Sequence, residues 1–115
     1  MIERIGKAAR WSDAVVVNGL VFLAGHVAEE TKGQSVLAQT REVLAQLDDT
    51  LAQAGSSKAR LVSVTIYLAD IAGFDEMNQA WDAWIDSENP PARATVEARL
   101  AHPDYAVEMT AIAAR

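Results

Sequence analysis

A chain of 115 residues, 50% hydrophobic and with a formal charge of −6 from 10 basic and 16 acidic side chains, makes one domain, 1–115, too acidic to favour nucleic-acid phosphates or anionic membranes as partners. The absence of cysteine and the presence of only two histidines, His26 and His102, exclude disulfides, thiolate chemistry, zinc–thiolate sites and a histidine-rich metal centre. No apolar run approaches the roughly 18 residues of a membrane span, and residues 1–5 lack the apolar stretch of a secretion signal, so a soluble cytoplasmic protein is expected.

The spacing predicts a short strand over residues 2–5, then a hairpin. Ala14-Val15-Val16-Val17 and Leu20-Val21-Phe22-Leu23-Ala24 flank Asn18-Gly19. That dipeptide suits the two positive-φ positions of a type I′ turn. Gly25 closes the second strand. Residues 35–54 then change period: Val36, Leu37, Thr40, Val43, Leu44, Leu47, Leu51 and Ala54 recur three and four apart. This predicts an amphipathic helix ending at Gly55, with Ser35 or Thr31 as its N-cap. Alternation returns at residues 60–69, placing Val62, Val64, Ile66 and Leu68 on one face and Ser63, Thr65 and Tyr67 on the other. A second helix is predicted over residues 74–86, where Phe74, Met77, Asn78, Trp81, Trp84 and Ile85 share a side; Asn89-Pro90-Pro91 stops it. Two final strands, 93–100 and 105–113, are expected to pair as a hairpin around His102-Pro103-Asp104.

The expected class is α+β, a sheet with both helices on one face. Val62, Val64, Ile66, Leu68, Val96 and Leu100 suit the covered face. Ser63, Thr65, Tyr67, Arg93, Thr95, Glu97 and Glu108 would then fall on the other. That second face is either exposed to solvent or packed against neighbouring subunits with polar pockets between them.

The segment Pro90-Pro91-Ala92-Arg93-Ala94-Thr95-Val96-Glu97, with Val107-Glu108-Met109-Thr110-Ala111-Ile112-Ala113, resembles the C-terminal signature of the RidA/YjgF family of enamine/imine deaminases. Asn18 to Gly25, Thr65-Ile66-Tyr67-Leu68-Ala69-Asp70, and Phe74, Met77-Asn78, Trp81 and Trp84 are similar to its earlier motifs, in register over nearly the whole chain. Residues 9–16 and 81–84 look most like a YoaB-related bacterial branch. The resemblance implies a chorismate-mutase-like fold (the Bacillus chorismate mutase type) and a homotrimer with pockets between subunits. It implies hydrolysis of 2-imino acids to 2-keto acid and ammonia, without metal or organic cofactor.

Arg93 matches the family arginine that grips a substrate carboxylate, a role suited to a planar guanidinium. Glu108 matches the glutamate that positions or activates water. Fifteen residues apart across one hairpin, the two are expected on the same sheet face. The competing reading of both is structural, as an ion pair with each other or with Glu97 and Arg99. Trp11, Gly25, His26 and Thr95 complete the expected ligand-binding set. Trp11, Thr95 and Thr110 depart from the archetypal tyrosine, cysteine and second glutamate. These departures define the alternative function, a non-catalytic trimer that binds a small carboxylate metabolite. Asn78 is expected to bond loop backbone, and Trp81 and Trp84 to pack the core. An RNA-cleaving activity, ascribed to some relatives, conflicts with the acidic charge.

Overall fold

In the computed structural model, which describes residues 1–115, six strands form one sheet in the order β1-β2-β3-β6-β4-β5. The strands are β1 (Glu3–Ile5), β2 (Ala14–Val17), β3 (Leu20–Val27), β4 (Leu61–Leu68), β5 (Ala92–Glu97) and β6 (Val107–Ala114). Helices α1 (Val36–Gln53) and α2 (Phe74–Trp84) complete the fold. The β2–β3 hairpin forms as its turn chemistry requires, with Asn18 at φ 51° and Gly19 at φ 74°. Ser35, not Thr31, caps α1: its side chain accepts from the Ala38 backbone N–H at 3.1 Å. Gly55 ends the helix at φ 76°, the left-handed position that an L side chain adopts only at a cost.

Val43, Leu44, Leu47 and Leu51 of α1 and Met77, Ala80 and Trp81 of α2 are buried together with Val64, Ile66 and Leu68 of β4 and Val107, Met109, Ala111 and Ala113 of β6. Both helices therefore cover one sheet face. They are tied by Glu76, which accepts from the Leu37 N–H at 2.7 Å, and by the Trp84 indole N–H, which donates to Asp48 at 2.8 Å.

Three expectations are corrected. First, β5 and β6 do not form a hairpin. β6 lies between β3 and β4, antiparallel to both, and β5 is an edge strand parallel to β4. A parallel partner needs a crossover, and α2 is that crossover. Second, β5 faces the other way. Arg93 pairs with Val64, Thr95 with Ile66 and Glu97 with Leu68, so these three side chains share the helix-covered face. Val96 pairs with Tyr67 on the open face and is 44% exposed. Third, the register shifts between Leu61 and Ser63. This irregularity buries Leu61 and leaves Val62 48% exposed, against its expected place in the core. Strand β5 also stops at Glu97, short of Leu100, and α2 stops at Trp84.

The open face carries Val15, Phe22, Ser63, Thr65, Tyr67, Glu108, Thr110 and Ile112, all placed there by the cross-strand register. A shallow cavity of about 250 Å³ lies among Phe22, Ser63, Thr65, Thr110 and Ile112.

Candidate functional site

Arg93 stands on the exposed edge strand and turns its guanidinium toward α2. Its Nη1 donates to the Asn78 side-chain oxygen at 2.8 Å. The guanidinium carbon lies 5.1 Å from the centre of the Trp81 ring and 5.8 Å from that of Phe74. One amide and two aromatic faces thus fix the cation. Asn78 performs this role instead of bonding loop backbone, and Trp81 adds it to core packing. The ion pair between permanently charged side chains is Arg115–Glu3 at 2.8 Å, and the His102 ring lies 4.0 Å from Asp104. Arg93 pairs with no carboxylate, and Glu97 accepts from the Ile71 N–H instead. The structural ion-pair reading of Arg93 is therefore set aside.

Glu108 lies elsewhere. It pairs with Tyr67 and Val27 on the open face, and its carboxylate presses against Gly25. A Cβ built on Gly25 would stand 2.0 Å from Glu108 Oε2. Glycine at this position is thus explained by the side chain opposite. The register of β3 on β6 shifts between Leu23 and His26, and this irregularity brings the Gly25 backbone to the carboxylate.

Trp11, 60% exposed, shares a cavity of about 210 Å³ with Gly25, His26, Asp13, Glu29 and Gln46. His26 turns to the helix side. Its Nδ1 lies 2.6 Å from the Ala24 carbonyl oxygen, and its Nε2 lies 3.0 Å from Thr50 Oγ1. An Nδ1–H donor with Thr50 donating to Nε2 satisfies both contacts. Thr95, two residues beyond Arg93 on the same face, has its Oγ1 buried without a hydrogen-bond partner.

The structure therefore gathers Trp11, Gly25, His26 and Glu108 at one end of the sheet and Arg93 and Thr95 on the opposite face of an edge strand. From strand spacings of about 4.8 Å and rises of about 3.3 Å per residue, two strands and three residues separate Arg93 from Glu108 by about 14 Å. The expectation that they share a face across a hairpin fails because β6 is inserted between β3 and β4. Two residues were missed in the sequence. Glu29 lines the Trp11 cavity, and the Tyr105 hydroxyl donates a short hydrogen bond to Glu29. That bond, with burial and the charges of Glu29 and Glu108, pushes the Tyr105 hydroxyl above its usual value of 10.0. Nothing in the alternation around residue 105 marks this, since the pairing spans 76 residues. No group of three or more His, Asp or Glu side chains is arranged to hold a metal ion, and no helix is long and apolar enough to cross a membrane.

A single mixed sheet with two helices on one face, joined by an α2 crossover to a parallel edge strand, defines the chorismate-mutase-like fold. The family model described as Endoribonuclease L-PSP matches residues 1–115. A RutC family protein of Haemophilus influenzae is 46% identical over 112 residues, covering 97% of each chain. The RutC family protein YoaB of Escherichia coli is 42% identical over 113 residues, covering 98% of this chain and 97% of its own. The crystal structure of a YjgF-family protein from Neisseria meningitidis superposes with a TM-score of 0.97 at 45% identity, covering 100% of this chain and 95% of that one. The chain belongs to this RidA/YjgF family, within its YoaB-like branch.

Proposed function

We propose that the chain is a hydrolytic deaminase of reactive 2-imino acids and works as a homotrimer with its sites between subunits. The observation that carries this reading is the state of Arg93. Its guanidinium bonds an amide and lies by two rings, no carboxylate neutralises it, and it sits on an exposed edge strand. A fixed, unneutralised cation is suited to a carboxylate ligand.

The separation of Arg93 and Glu108 supports the subunit arrangement. A 2-imino acid is only a few ångströms long, so a ligand touching both residues must lie between two copies. The open face, with Leu20 and Phe22 38% and 40% exposed beside Ser63, Thr65 and Thr110, suits packing against neighbours better than it suits free solvent.

In the proposed reaction, Arg93 of one copy binds the carboxylate of the substrate in its protonated imine form. Glu108 of another removes a proton from water as the water oxygen bonds to C2 and the C=N π pair moves to nitrogen. The same carboxyl group returns the proton to nitrogen. The hydroxyl of the tetrahedral adduct then gives its proton to the Glu108 carboxylate as the C–N bond breaks with its electron pair going to nitrogen, and the departing ammonia takes that proton from Glu108, giving 2-keto acid, ammonium and the original carboxylate. Nitrogen and proton balance without an oxidant or reductant, and no cofactor is called for.

The test generates the imino acid in situ with an amino-acid oxidase and follows ammonia and keto acid. Acceleration by the wild type that Arg93→Ala and Glu108→Gln both abolish is expected. No acceleration by the wild type overturns the reading. Tight carboxylate binding without turnover would assign the chain to ligand binding alone.

A further inference from the structure

We propose that Glu29, oriented by Tyr105, receives the nitrogen end of the ligand and makes the site select molecules bearing N–H donors at C2. The proposal rests on the deaminase reading above and adds a specificity element to it. Glu29 lines the cavity of Trp11 and Gly25, and Gly25 is the residue against which the Glu108 carboxylate rests. Glu29 is exposed, and a free carboxylate on a surface samples many rotamers. Here the Tyr105 hydroxyl donates to Oε1 and holds it, while Oε2 takes no hydrogen bond from the chain.

Tyr105 is itself fixed. The His102 ring meets it edge-on with centroids 5.7 Å apart, and the Lys32 ammonium lies 5.0 Å from its ring centre. Glu29 lines the cavity that Gly25 also lines, and Glu108 rests against that same glycine, so two carboxylates near Gly25 have different surroundings. Glu108 abuts bare backbone, and Glu29 is braced by a phenol with one oxygen to spare. A protonated imine and an ammonium group both present N–H donors and positive charge, and such donors form the stronger, charge-assisted class of hydrogen bond with a carboxylate. A keto oxygen presents neither. Glu29 is therefore a binding residue for the nitrogen, and Tyr105 is a positioning residue that acts through it.

The experiment compares binding of a matched pair, 2-aminobutyrate and 2-oxobutyrate, by calorimetry on wild type, Glu29→Gln, Tyr105→Phe and Arg93→Ala. Tyr105→Phe keeps the ring against His102 and Lys32 and removes only the hydroxyl. Melting temperatures verify that each variant folds. Glu29→Gln is expected to weaken the amino acid about tenfold and leave the keto acid unchanged. Tyr105→Phe is expected to do the same more weakly, about threefold, whereas Arg93→Ala weakens both ligands together. A purely structural role for the pair would not change the ratio of the two affinities. An unchanged ratio in both variants, or wild type that binds only the keto acid, overturns this inference and leaves the deaminase reading standing. Wild type that binds neither ligand overturns both, and so does an Arg93→Ala that binds both as wild type does.

Discussion

Replacing Gly25 by alanine isolates the geometry of Glu108 from the stability of the fold. The added Cβ would lie 2.0 Å from Glu108 Oε2 and 3.0 Å from its Cδ, whereas ordinary contact begins at 3.4 Å. The carboxylate oxygen must therefore retreat by about 1.4 Å, the difference between those two separations. The group that moves is the far end of a half-exposed side chain, so rotation relieves the clash and the backbone need not move. Alanine also restricts the unfolded chain, which offsets part of any strain by about 0.4–1 kcal/mol. Stability should stay within about 1 kcal/mol of wild type, a melting-point change of roughly 4–8 °C at most for a domain of this size. Activity should respond far more, because a 1 Å misplacement at a reacting centre costs about 10²-fold in rate. The assay is ammonia release from oxidase-generated imino acid, alongside thermal unfolding and calorimetric binding of 2-oxobutyrate. The expected pattern is a rate down about a hundredfold, with near-normal stability and keto-acid affinity, since the carboxylate grip on Arg93 is untouched. Full activity in a folded Gly25→Ala protein would refute the placement of Glu108 at the reacting atoms.

Four further outcomes follow from named contacts. Asn78→Ala removes the only side-chain acceptor on Arg93 and should weaken 2-oxobutyrate binding by about tenfold or slightly more by calorimetry, the low end of what a hydrogen bond to a charged group contributes. Sedimentation equilibrium should give a mass of about 37 kDa, three times the 12.4 kDa chain; a monomer at working concentration would remove the shared-site argument. Glu42 is desolvated, which raises its pKa, but bonds from Thr31, the Glu30 and Thr31 backbone and Gln46 together hold it below its ordinary 4.5. A depressed carboxylate stabilises above its unfolded value, so wild type should exceed Glu42→Gln at pH 7, by about 0.5 kcal/mol at most because solvent screens a partly exposed carboxylate. That margin should shrink as pH falls below 4.5 through the folded value, as read from urea unfolding at several pH values. Gly19→Ala forces a side chain to φ 74° and should cost about 1–2 kcal/mol in the same unfolding assay.

Local chemistry was legible in the sequence wherever it was governed by neighbours in the chain. Asn18-Gly19, Ser35 and Gly55 each act within four residues of their own backbone, and each does what its composition requires. The two helices were legible for the same reason, since their periodicity reports a single buried side. The errors cluster where a partner far along the chain decides the outcome. Alternation says that Arg93, Thr95 and Glu97 share a face, but it does not say which one. The choice was made by assuming that β5 and β6 pair, and the insertion of β6 between β3 and β4 reverses it. Val62 fails similarly, because an irregularity in pairing with β6 breaks the period of two. Gly25 and Glu108, matched separately to family motifs, turn out to explain one another across 83 residues, and Glu29 with Tyr105 carried no local signal at all.

The reversal of β5 also changes what kind of site this chain can make. With Arg93 on the same face as Glu108, one chain could have bound a carboxylate and activated water by itself, and an oligomer would have been incidental. With Arg93 clamped by Asn78, Trp81 and Phe74 on the helix side of an edge strand, and Glu108 set against Gly25 on the other face, the proposed site takes Arg93 from one copy and Glu108 from another. In that proposed arrangement the edge strand β5 of one chain would meet the open face of another. Substitutions on that open face that block association, such as Phe22→Lys, should then abolish turnover while leaving the monomer folded, even though Phe22 touches neither Arg93 nor Glu108. Mixing Arg93→Ala chains with Glu108→Gln chains provides the complementary result. If every site takes one residue from each of two copies, random trimers of the two inactive variants regain part of the wild-type rate through wild-type pairs at mixed interfaces. If each site is built within one chain, mixing restores nothing, and the two-copy argument fails.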